Sequence, residues 1–298
     1  MNNSGVLIID KPLGITSFDV VARVRRMCGE RRVGHAGTLD PLATGVLPVC
    51  IGSATRLIEY LADAHKEYRA TVHLGAVSPT YDAEGPITQQ VGPGQLPDAA
   101  ALEAALAGFR GPQQQLPPIY SAVQQGGKRL YELARRGVEV ERAPRPVTIY
   151  RLELLEYTPP SLSLLVKCSK GTYIRSLAHD LGEALGCGAY LSGLVRTRHG
   201  PFRIEDAIPL ADLEAAGNCD RALLPADTLV ADWPRLDVDA DAAQRLAQGQ
   251  SLAHPPPASG GPRRLRVYRP GGIFLALVYW EDEKARWHPT KVFTSAAH

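Results

Sequence analysis

The stretch 34–47, Gly-His-Ala-Gly-Thr-Leu-Asp-Pro-Leu-Ala-Thr-Gly-Val-Leu, constrains this sequence more than any other segment. It holds three glycines, His35 and a single carboxylate, Asp40. Pro41 biases the residue before it away from helical angles, so Asp40 is expected in an extended or turn conformation. The apolar residues of 42–51 predict a core element directly behind the loop. The stretch therefore predicts one acid on a stiff turn, with an imidazole nearby.

Two interpretations of this loop compete. Gly34 and Gly37 allow backbone angles closed to other residues, or the close approach of a ligand. The short features alone favour an ordinary Asp-Pro turn with an incidental histidine. The full string goes further, because it resembles, almost residue for residue, the catalytic loop of the bacterial tRNA pseudouridine-55 synthases, the TruB family. In that family the Asp of Gly-x-Leu-Asp-Pro-x-Ala-x-Gly is the nucleophile, so the resemblance implies that role for Asp40.

Composition bounds the class of protein without naming a substrate. The 298 residues suffice for one large or two modest domains, and the 45% of hydrophobic residues suffices for a core. The 21% of charged residues argues against wholesale disorder, and the net charge of +2 says little about nucleic acid. Locally, the segment 23–32 carries five arginines against one acid, Glu30, a pattern that is usually a solvated helix face.

The cysteines form no recognisable metal or disulfide pattern. All five, at positions 28, 50, 168, 187 and 219, lack a Cys-x-x-Cys spacing. An odd, scattered set predicts reduced thiols, as in the cytosol. Residues 1–4 are too short and polar for a signal peptide, and no apolar run approaches the roughly 20 residues of a membrane helix. We therefore expect a soluble cytoplasmic protein without a metal site.

Hydrophobic periodicity and capping residues predict the elements of the first half. The motif Asp-Lys-Pro-x-Gly-x-Thr-Ser at 10–17 also matches the family, and its main role is expected to be a strand-turn-helix corner. The predicted elements are a strand at 5–9, a helix from Thr16-Ser17 to Gly29, a helix at 54–62, a strand at 66–75 and a helix capped by Asp98.

An inserted arm is expected at about 112–148. Proline and glycine bound this segment, and it predicts a short helix at 128–136. Six basic residues against three acids lie between 128 and 145. Long insertions in compact domains are usually functional or disordered. A basic arm that closes over RNA and a merely solvated insertion both fit this composition, and the family resemblance favours the first.

The second half predicts the rest of an α+β fold. We expect a strand pair at 147–157 and 161–168, a helix at 174–185, and a loop or short strand at 191–202. The resemblance implies a mixed or antiparallel pseudouridine-synthase sheet with flanking helices over residues 1–232. Residues 233–298 resemble the family's small β-barrel-like RNA-binding PUA domain, with a helix at 242–247 and strands at 264–268, 273–280 and 285–287.

The implied reaction needs no cofactor. Uridine-to-pseudouridine isomerisation breaks a C–N glycosidic bond and forms a C–C bond to the same sugar carbon, so one anionic oxygen in a dry pocket can serve it. A glycosidase would need two carboxylates across the bond, and only Asp40 lies in a strong motif. Whether the carboxylate adds to C1′ or the route passes through a glycal stays open.

The resemblance also implies roles for residues outside the loop. Arg175, in Gly-Thr-Tyr-Ile-Arg, would hold the charge of Asp40 through its planar fork. Tyr68 would stack on the target base and is the candidate proton acceptor. The other expected substrate contacts are His35, which fills the space of the flipped base, Asp82, Tyr173 and Leu194. Expected RNA-binding residues are Arg23, Arg31, Arg32, Lys128, Arg129 and Arg196.

The implied substrate is the T stem-loop of tRNA, bound by a monomer that modifies position 55. Gln124 and Arg56 stand where many members carry lysine, which affects single phosphate contacts rather than the chemistry. A non-catalytic RNA chaperone on this scaffold would have lost the nucleophile, and Asp40 is present. A nucleoside hydrolase would need a second motif carboxylate and no basic arms. Free uridine tested against T-arm RNA separates these alternatives.

Overall fold

The computed structural model describes residues 4–119, 124–125, 128–129, 142–252, 254–255, 257–258 and 261–293. The helices are α1 (Ser17–Cys28), α2 (Ile58–Ala62), α3 (Ala99–Ala107), α4 (Ile174–Ala184), α5 (Leu210–Ala216) and α6 (Ala240–Ala247). The strands are β1 (Gly5–Lys11), β2 (Val33–His35), β3 (Ala43–Ile51), β4 (Lys66–Leu74), β5 (Ala76–Val77), β6 (Thr88–Gln89), β7 (Gly111–Gln115), β8 (Gln124–Gln125), β9 (Lys128–Arg129), β10 (Arg145–Thr158), β11 (Ser161–Cys168), β12 (Ala189–His199), β13 (Phe202–Arg203), β14 (Ile208–Pro209), β15 (Arg235–Asp237), β16 (Arg264–Arg269), β17 (Ile273–Glu281) and β18 (Arg286–Val292).

One large mixed sheet organises the molecule. Its strand order is β14-β1-β3-β12-β4-β11-β10-β7, with β2 on β3 and β13 on β12. Most pairs are antiparallel, and the β1–β14 and β3–β12 pairs are parallel. The α+β prediction with a mixed sheet is confirmed. Because β3 and β12 lie side by side, the loop that precedes β3 is placed against the middle of the sheet.

The predicted corner between β1 and α1 forms as expected. The Thr16 side chain accepts a hydrogen bond from the Asp19 backbone amide, and the Asp19 carboxylate accepts one from the Thr16 backbone amide, which is a capping box. Gly29 ends the helix at φ 62°, the left-handed conformation that glycine adopts without a steric cost. Val20 and Val24 are fully buried and hold the helix against the core below the sheet.

The segment predicted as a loop or short strand at 191–202 is the long strand β12 in the centre of the sheet. Its arginines and histidine made a central strand hard to recognise from the sequence, because strands buried on both faces are usually continuous apolar runs. Arg196 and His199 are nonetheless buried, whereas Arg198 is exposed. The helix predicted at 54–62 also differs, because a 3₁₀ helix at Gly52–Leu57 precedes α2.

The inserted arm is shorter than predicted at both ends. Strand β7 pairs with the first part of β10, so 112–115 and 145–148 belong to the main sheet. The helix predicted at 128–136 is wrong at its start, because β9 pairs with β8. Residues 130–136 lie outside the described part of the chain.

The C-terminal strands form a separate four-stranded sheet in the order β15-β16-β17-β18. Trp287 is almost fully buried in its core. This sheet docks on the first part of the molecule, because Arg56 Nη1 donates to the Val292 carbonyl at 2.6 Å and Lys291 pairs with Glu59 at 2.8 Å. Arg56 is therefore engaged at this contact between the sheets.

The expectation of reduced cysteines is wrong for one pair. Cys28, at the end of α1, forms a disulfide with Cys219, with their Cα atoms 5.8 Å apart. The two residues are separated by 191 positions, and only the packing of α1 near the 217–222 segment brings them together. Cys50, Cys168 and Cys187 are buried free thiols. Within the described ranges, no helix is long and apolar enough to cross a membrane.

Candidate active site

The Asp40 loop is fastened to the corner between β1 and α1. The Leu39 amide donates to Ser17 Oγ at 2.8 Å, and this hydroxyl donates to the Leu39 carbonyl at 3.0 Å. On the other side of Asp40, the Gly14 amide donates to the Pro41 carbonyl at 2.9 Å. The 10–17 motif therefore does more than turn the chain, because it fixes the residues on both sides of the acid.

Arg175 connects Asp40 to a second carboxylate. Its Nε lies 3.0 Å from Asp40 Oδ2, and its Nη1 lies 3.2 Å from Asp82 Oδ2 and 3.3 Å from the Thr80 carbonyl. The guanidinium therefore pairs with Asp40, as expected, and is shared with a second acid, Asp82. The Arg175 side chain is 7% exposed and that of Asp40 is 38% exposed, so only Asp40 faces an open rim.

Asp82 is not a second catalytic acid of the glycosidase kind. It is fully buried, and its Oδ1 accepts hydrogen bonds from Thr80 Oγ1 at 2.6 Å and from the Glu84 amide at 3.0 Å. Its Oδ2 faces Arg175. With both oxygens engaged, Asp82 can orient the guanidinium but cannot reach a substrate.

The surrounding protein opposes ionisation of Asp40. Burial raises the pKa of Asp40 above its usual value, the Arg175 guanidinium counteracts this, and the nearby Asp82 carboxylate adds to the increase. Lys11 also acts to lower the pKa of Asp40. Two cations thus favour the ionised form of Asp40, while burial and a like charge oppose it and leave the pKa of Asp40 raised.

Lys11 also belongs to this site. The sequence indicated mainly a structural role for its motif, in the corner between β1 and α1. Lys11 is fully buried, and its Nζ donates to the Ile15 carbonyl at 2.6 Å and the Pro12 carbonyl at 2.9 Å. Burial lowers the pKa of Lys11 to about 8, although Asp40 raises it. The Asp-Lys-Pro motif could have indicated a buried Lys11, because a lysine at a corner between two buried elements has little room to reach solvent.

Arg196 is not a phosphate contact. It is fully buried, and its guanidinium donates to the carbonyls of Val46 at 2.7 Å, Gly37 at 3.0 Å and Thr38 at 3.5 Å. The RNA-binding assignment for Arg196 is therefore wrong. The side chain lies on the same strand face as the buried Leu194, two residues before it. A β-bulge between Arg196 and Arg198 interrupts the alternation, so Arg198 is exposed. Arg196 holds the chain immediately before Asp40.

Two glycines make this arrangement possible. Gly37 has φ 85°, and a Cβ there would lie 3.0 Å from the His199 ring. Gly45 has φ 97°, and a Cβ there would lie 2.3 Å from the Arg196 carbonyl oxygen. Of the two glycines expected to need special angles, Gly37 does, whereas Gly34 lies within β2.

Tyr68 lies beside Arg196 in the β4–β12 ladder. Burial raises the pKa of Tyr68 to about 12, so the phenol is protonated at neutral pH. It is 6% exposed. Nearby, burial and the Arg196 charge lower the pKa of His35, which favours its neutral form.

The remaining predicted substrate contacts lie at the edges of this cluster. Leu194 is 9% exposed and pairs in register with Ala43, three residues beyond Asp40. Tyr173 immediately precedes α4. Its amide donates to Gln115 Oε1 at 2.7 Å, and Gln115 Nε2 donates back to its carbonyl at 3.0 Å. Gln115 was missed, because nothing in a run of three glutamines marks the one that is buried.

The expected RNA-binding residues are only partly described. The Arg23 side chain is 37% exposed and pairs with Glu214 at 3.4 Å. Arg31 is exposed, and the 64% exposed Arg32 lies 3.7 Å from Glu30. Lys128 and Arg129 form the strand β9. Over the described ranges, no three His, Cys, Asp or Glu side chains are arranged to hold a metal ion.

Three family models together match most of the sequence. The TruB family pseudouridylate synthase N-terminal domain matches residues 25–174. The tRNA pseudouridylate synthase B C-terminal domain matches residues 175–231, and the tRNA pseudouridine synthase II C-terminal model matches residues 233–294. Asp40, Asp82 and Tyr173 lie in the first match, and Arg175 opens the second.

Curated relatives agree along nearly the whole chain. A tRNA pseudouridine synthase B from Dehalococcoides mccartyi is 48% identical over 295 residues, which are 97% of this chain and 96% of that protein. One from Chromohalobacter salexigens is 48% identical over 278 residues, which are 92% and 89% of the two chains. One from Pseudomonas fluorescens is 45% identical over 284 residues, or 93% and 91%.

Solved structures share the architecture. A structure described as an H/ACA RNP bound to a substrate RNA containing 2′-deoxyuridine matches with a TM-score of 0.72 and 27% identity, covering 99% of this chain and 86% of the other. A Cbf5-Nop10-Gar1 complex matches with a TM-score of 0.72 and 29% identity, covering 98% and 84%. The likeness therefore includes the C-terminal sheet.

Proposed function

The chain belongs to the TruB family of pseudouridylate synthases, and we propose that the tRNA uridine it isomerises is position 55 in the T loop. Membership accounts for the pseudouridine synthase activity on tRNA. The position within tRNA and the roles of single residues are our proposal. They rest on the long loop motif around Asp40 and on the geometry of its ion pair with Arg175.

The observation that supports this proposal most strongly is that, of the two acids paired with Arg175, Asp40 is the exposed one. Asp82 is closed off by its own loop, whereas 38% of the Asp40 side chain faces the rim. A substrate sugar can therefore reach one carboxylate oxygen. Because the Asp40 side chain is partly exposed, the bound RNA would complete the dry surroundings that the reaction needs. This favours isomerisation over two-carboxylate hydrolysis.

The reaction has a simple atom balance. The N1–C1′ bond breaks, a C5–C1′ bond forms, and one proton moves from C5 to N1. Asp40 assists at C1′ as an anion, either by adding to that carbon or by assisting elimination to a glycal. Tyr68 lies against the base and accepts the C5 proton. Because its pKa is about 12, its phenol must pass its own proton onward in that step.

Substrate binding begins with extrusion of the target base from the folded arm, at a cost of a few kcal/mol. His35 occupies the space the base leaves, and Tyr173 and Leu194 line the pocket for the flipped nucleotide. Arg23, Arg31, Arg32, Lys128 and Arg129 contact phosphates. Recognition of a folded stem-loop by shape and phosphate contacts fits this distribution of positive charge.

We also propose how the chain is divided and where it acts. A catalytic domain spans residues 1–232, and a PUA-like RNA-binding domain spans 233–298. The separate sheet β15–β18 and its own buried core support this division. The protein acts as a cytoplasmic monomer, since a T stem-loop and one Asp40 site complete the reaction.

A substrate comparison tests the proposal. Purified protein is incubated with a T-arm transcript, with the same transcript carrying cytidine at position 55, and with free uridine. Pseudouridine is located by carbodiimide labelling. We expect modification at position 55 of the first transcript alone. Modification of other positions in the cytidine transcript would contradict the assigned site, and release of uracil from free uridine would favour a hydrolase.

A further inference from the structure

The turn that carries Asp82 has an unusual backbone at Tyr81. Tyr81 has φ 64°, in the left-handed region that a bulky side chain rarely adopts. It stands between the two groups that Arg175 grips, the Thr80 carbonyl and the Asp82 carboxylate. A strained residue between two ligands of the same guanidinium requires a structural reason, because strain persists only where the surroundings impose it.

The Tyr81 ring is stacked on a histidine of the helix that carries Arg175. The ring centroids of Tyr81 and His179 are 3.9 Å apart and the planes differ by 7°. Arg175 and His179 are four residues apart on α4, so they lie on the same helix face one turn apart. One turn of α4 thus holds the chain next to Tyr81 by charge, and the following turn holds the Tyr81 ring by stacking.

One ring nitrogen of His179 has no polar contact that would explain the place of the side chain. Its Nδ1 is buried without a hydrogen-bond partner among the described residues. On the opposite side, the turn is tied to β12 by two backbone hydrogen bonds. The Leu191 amide donates to the Tyr81 carbonyl at 2.9 Å, and the Leu191 carbonyl accepts from the Ala83 amide at 3.0 Å. The stack therefore sets the spacing between a turn fixed on β12 and the helix that presents Arg175.

We infer that Tyr81 and His179 are positioning residues, which hold the 80–82 turn against α4 so that Arg175 can reach Asp82 with Nη1 and Asp40 with Nε. Without the stack, the turn can relax towards an unstrained backbone. Arg175 then loses the two acceptors that aim it, and Asp40 is less well compensated. This inference deepens the proposed function and rests on it, because its readout is the isomerisation rate.

Four variants test the pair. Tyr81→Gly removes the ring and relieves the backbone strain, whereas Tyr81→Phe keeps the ring. His179→Ala removes the partner, and His179→Phe restores a stacking surface. We expect single-turnover isomerisation of the T-arm transcript to fall about 10-fold or more in Tyr81→Gly and His179→Ala, which is about 1.4 kcal/mol of barrier. The two phenylalanine variants should stay within about threefold of the wild type.

Two further readouts distinguish positioning from loss of structure. The dissociation constant for the transcript should stay unchanged in all four variants. The pH–rate profiles of Tyr81→Gly and His179→Ala should shift to higher pH, because a less compensated Asp40 ionises later. The charged groups that act on Asp40 are Arg175, Asp82 and Lys11, with Glu84 at the neighbouring turn, and the variants leave all of them in place.

A double variant and a matched control complete the design. If the rings act as one unit, Tyr81→Gly combined with His179→Ala should be no slower than the worse single variant. The control is Tyr150→Ala, which breaks a His65–Tyr150 ring contact of 4.4 Å elsewhere in the molecule and should leave the rate unchanged. Wild-type rates and pH profiles in Tyr81→Gly and His179→Ala would overturn the inference. Failure of the wild type itself on this transcript would overturn the proposed function instead.

Discussion

Two buried arginines serve the same catalytic loop in different ways. Arg175 reaches Asp40 and Asp82 from α4, so its positive charge is matched by carboxylates. Arg196 donates from β12 to three backbone carbonyls, those of Gly37, Thr38 and Val46, and lies beside Tyr68 of the neighbouring strand. Among the described residues, Arg196 makes no ion pair with a carboxylate.

The difference separates an electrostatic role from a scaffolding one. Arg175 changes the balance between the ionised and neutral forms of Asp40, whereas Arg196 fixes where the loop lies. Burial lowers the pKa of His35 and of His199, and the Arg196 charge adds to both decreases, so both imidazoles are favoured in their neutral form. Changes on the Arg175 side should therefore alter pH dependence, and changes on the Arg196 side should alter stability.

The largest effect on activity is expected for Asp40→Asn. Arg175 pairs with Asp40, and Arg196 holds the chain just before it. Turnover should be abolished. Transcript binding should stay nearly intact, because many basic residues contribute to it and Asp40 does not. Single-turnover assays and a binding titration measure this. Substantial residual isomerisation would rule out the nucleophile assignment.

The same variant should not destabilise the protein. The pKa of Asp40 is raised in the folded state, so its ionised form at neutral pH weakens folding relative to a neutral side chain. We expect an unchanged or higher midpoint of thermal unfolding at pH 7 for Asp40→Asn. The wild-type protein should approach the variant as pH falls through the raised pKa of Asp40. A clearly lower midpoint in the variant at pH 7 would mean that the ionised acid stabilises the fold.

Arg196→Met should have the largest effect on stability. It leaves three loop carbonyls without their donor, and each unsatisfied buried group costs about 1–3 kcal/mol, so a loss of roughly 3 kcal/mol or more is expected. Denaturant unfolding measures it. Arg198→Met, two residues along β12 and exposed, is the matched control and should change stability little.

Arg196→Lys keeps the charge and tests whether the fork of donors is needed. If this variant folds, its transcript affinity should show the wild-type dependence on salt, because a buried side chain releases no counterions. A flatter salt dependence would return Arg196 to the phosphate contacts and contradict the burial argument.

A smaller effect is expected for Gln115→Ala, on the Arg175 side. The buried amide pairs with both backbone groups of Tyr173 at the start of α4, so its loss should cost about 1–3 kcal/mol of stability. Gln114→Ala, at the exposed neighbouring position, is the control. Equal stabilities for the two variants would show that the start of α4 does not depend on Gln115.

The sequence revealed the parts of the site that a long motif carries. Asp40 and Arg175 could be identified because their neighbours spell out a family pattern, and the capped helices followed from local rules. The partner choice of each side chain could not be predicted. Arginine in a strand is usually exposed, so Arg196 was assigned to RNA, although it lies on the same strand face as the buried Leu194.

Contacts across long separations escaped prediction for the same reason. Asp82 and Arg175 are 93 positions apart, and Cys28 and Cys219 are 191 positions apart. No local spacing encodes either pair, because the sheet order decides which segments meet. The predicted bounds of the inserted arm were too wide for the same reason, because β7 and the first part of β10 pair with each other in the main sheet.

The most direct test of the central claim, that Arg175 keeps Asp40 ionised, is the pH–rate profile of single-turnover isomerisation in Arg175→Met. Removing Arg175 leaves Asp40 beside the Asp82 carboxylate without this cation, and Asp40 can respond by taking a proton. The variant should therefore be slow at neutral pH and recover partly as pH is raised. Arg175→Lys should be intermediate, because an ammonium restores charge but not the shared geometry. A wild-type profile at reduced height in Arg175→Met would mean that Arg175 only positions the substrate, and would contradict the account.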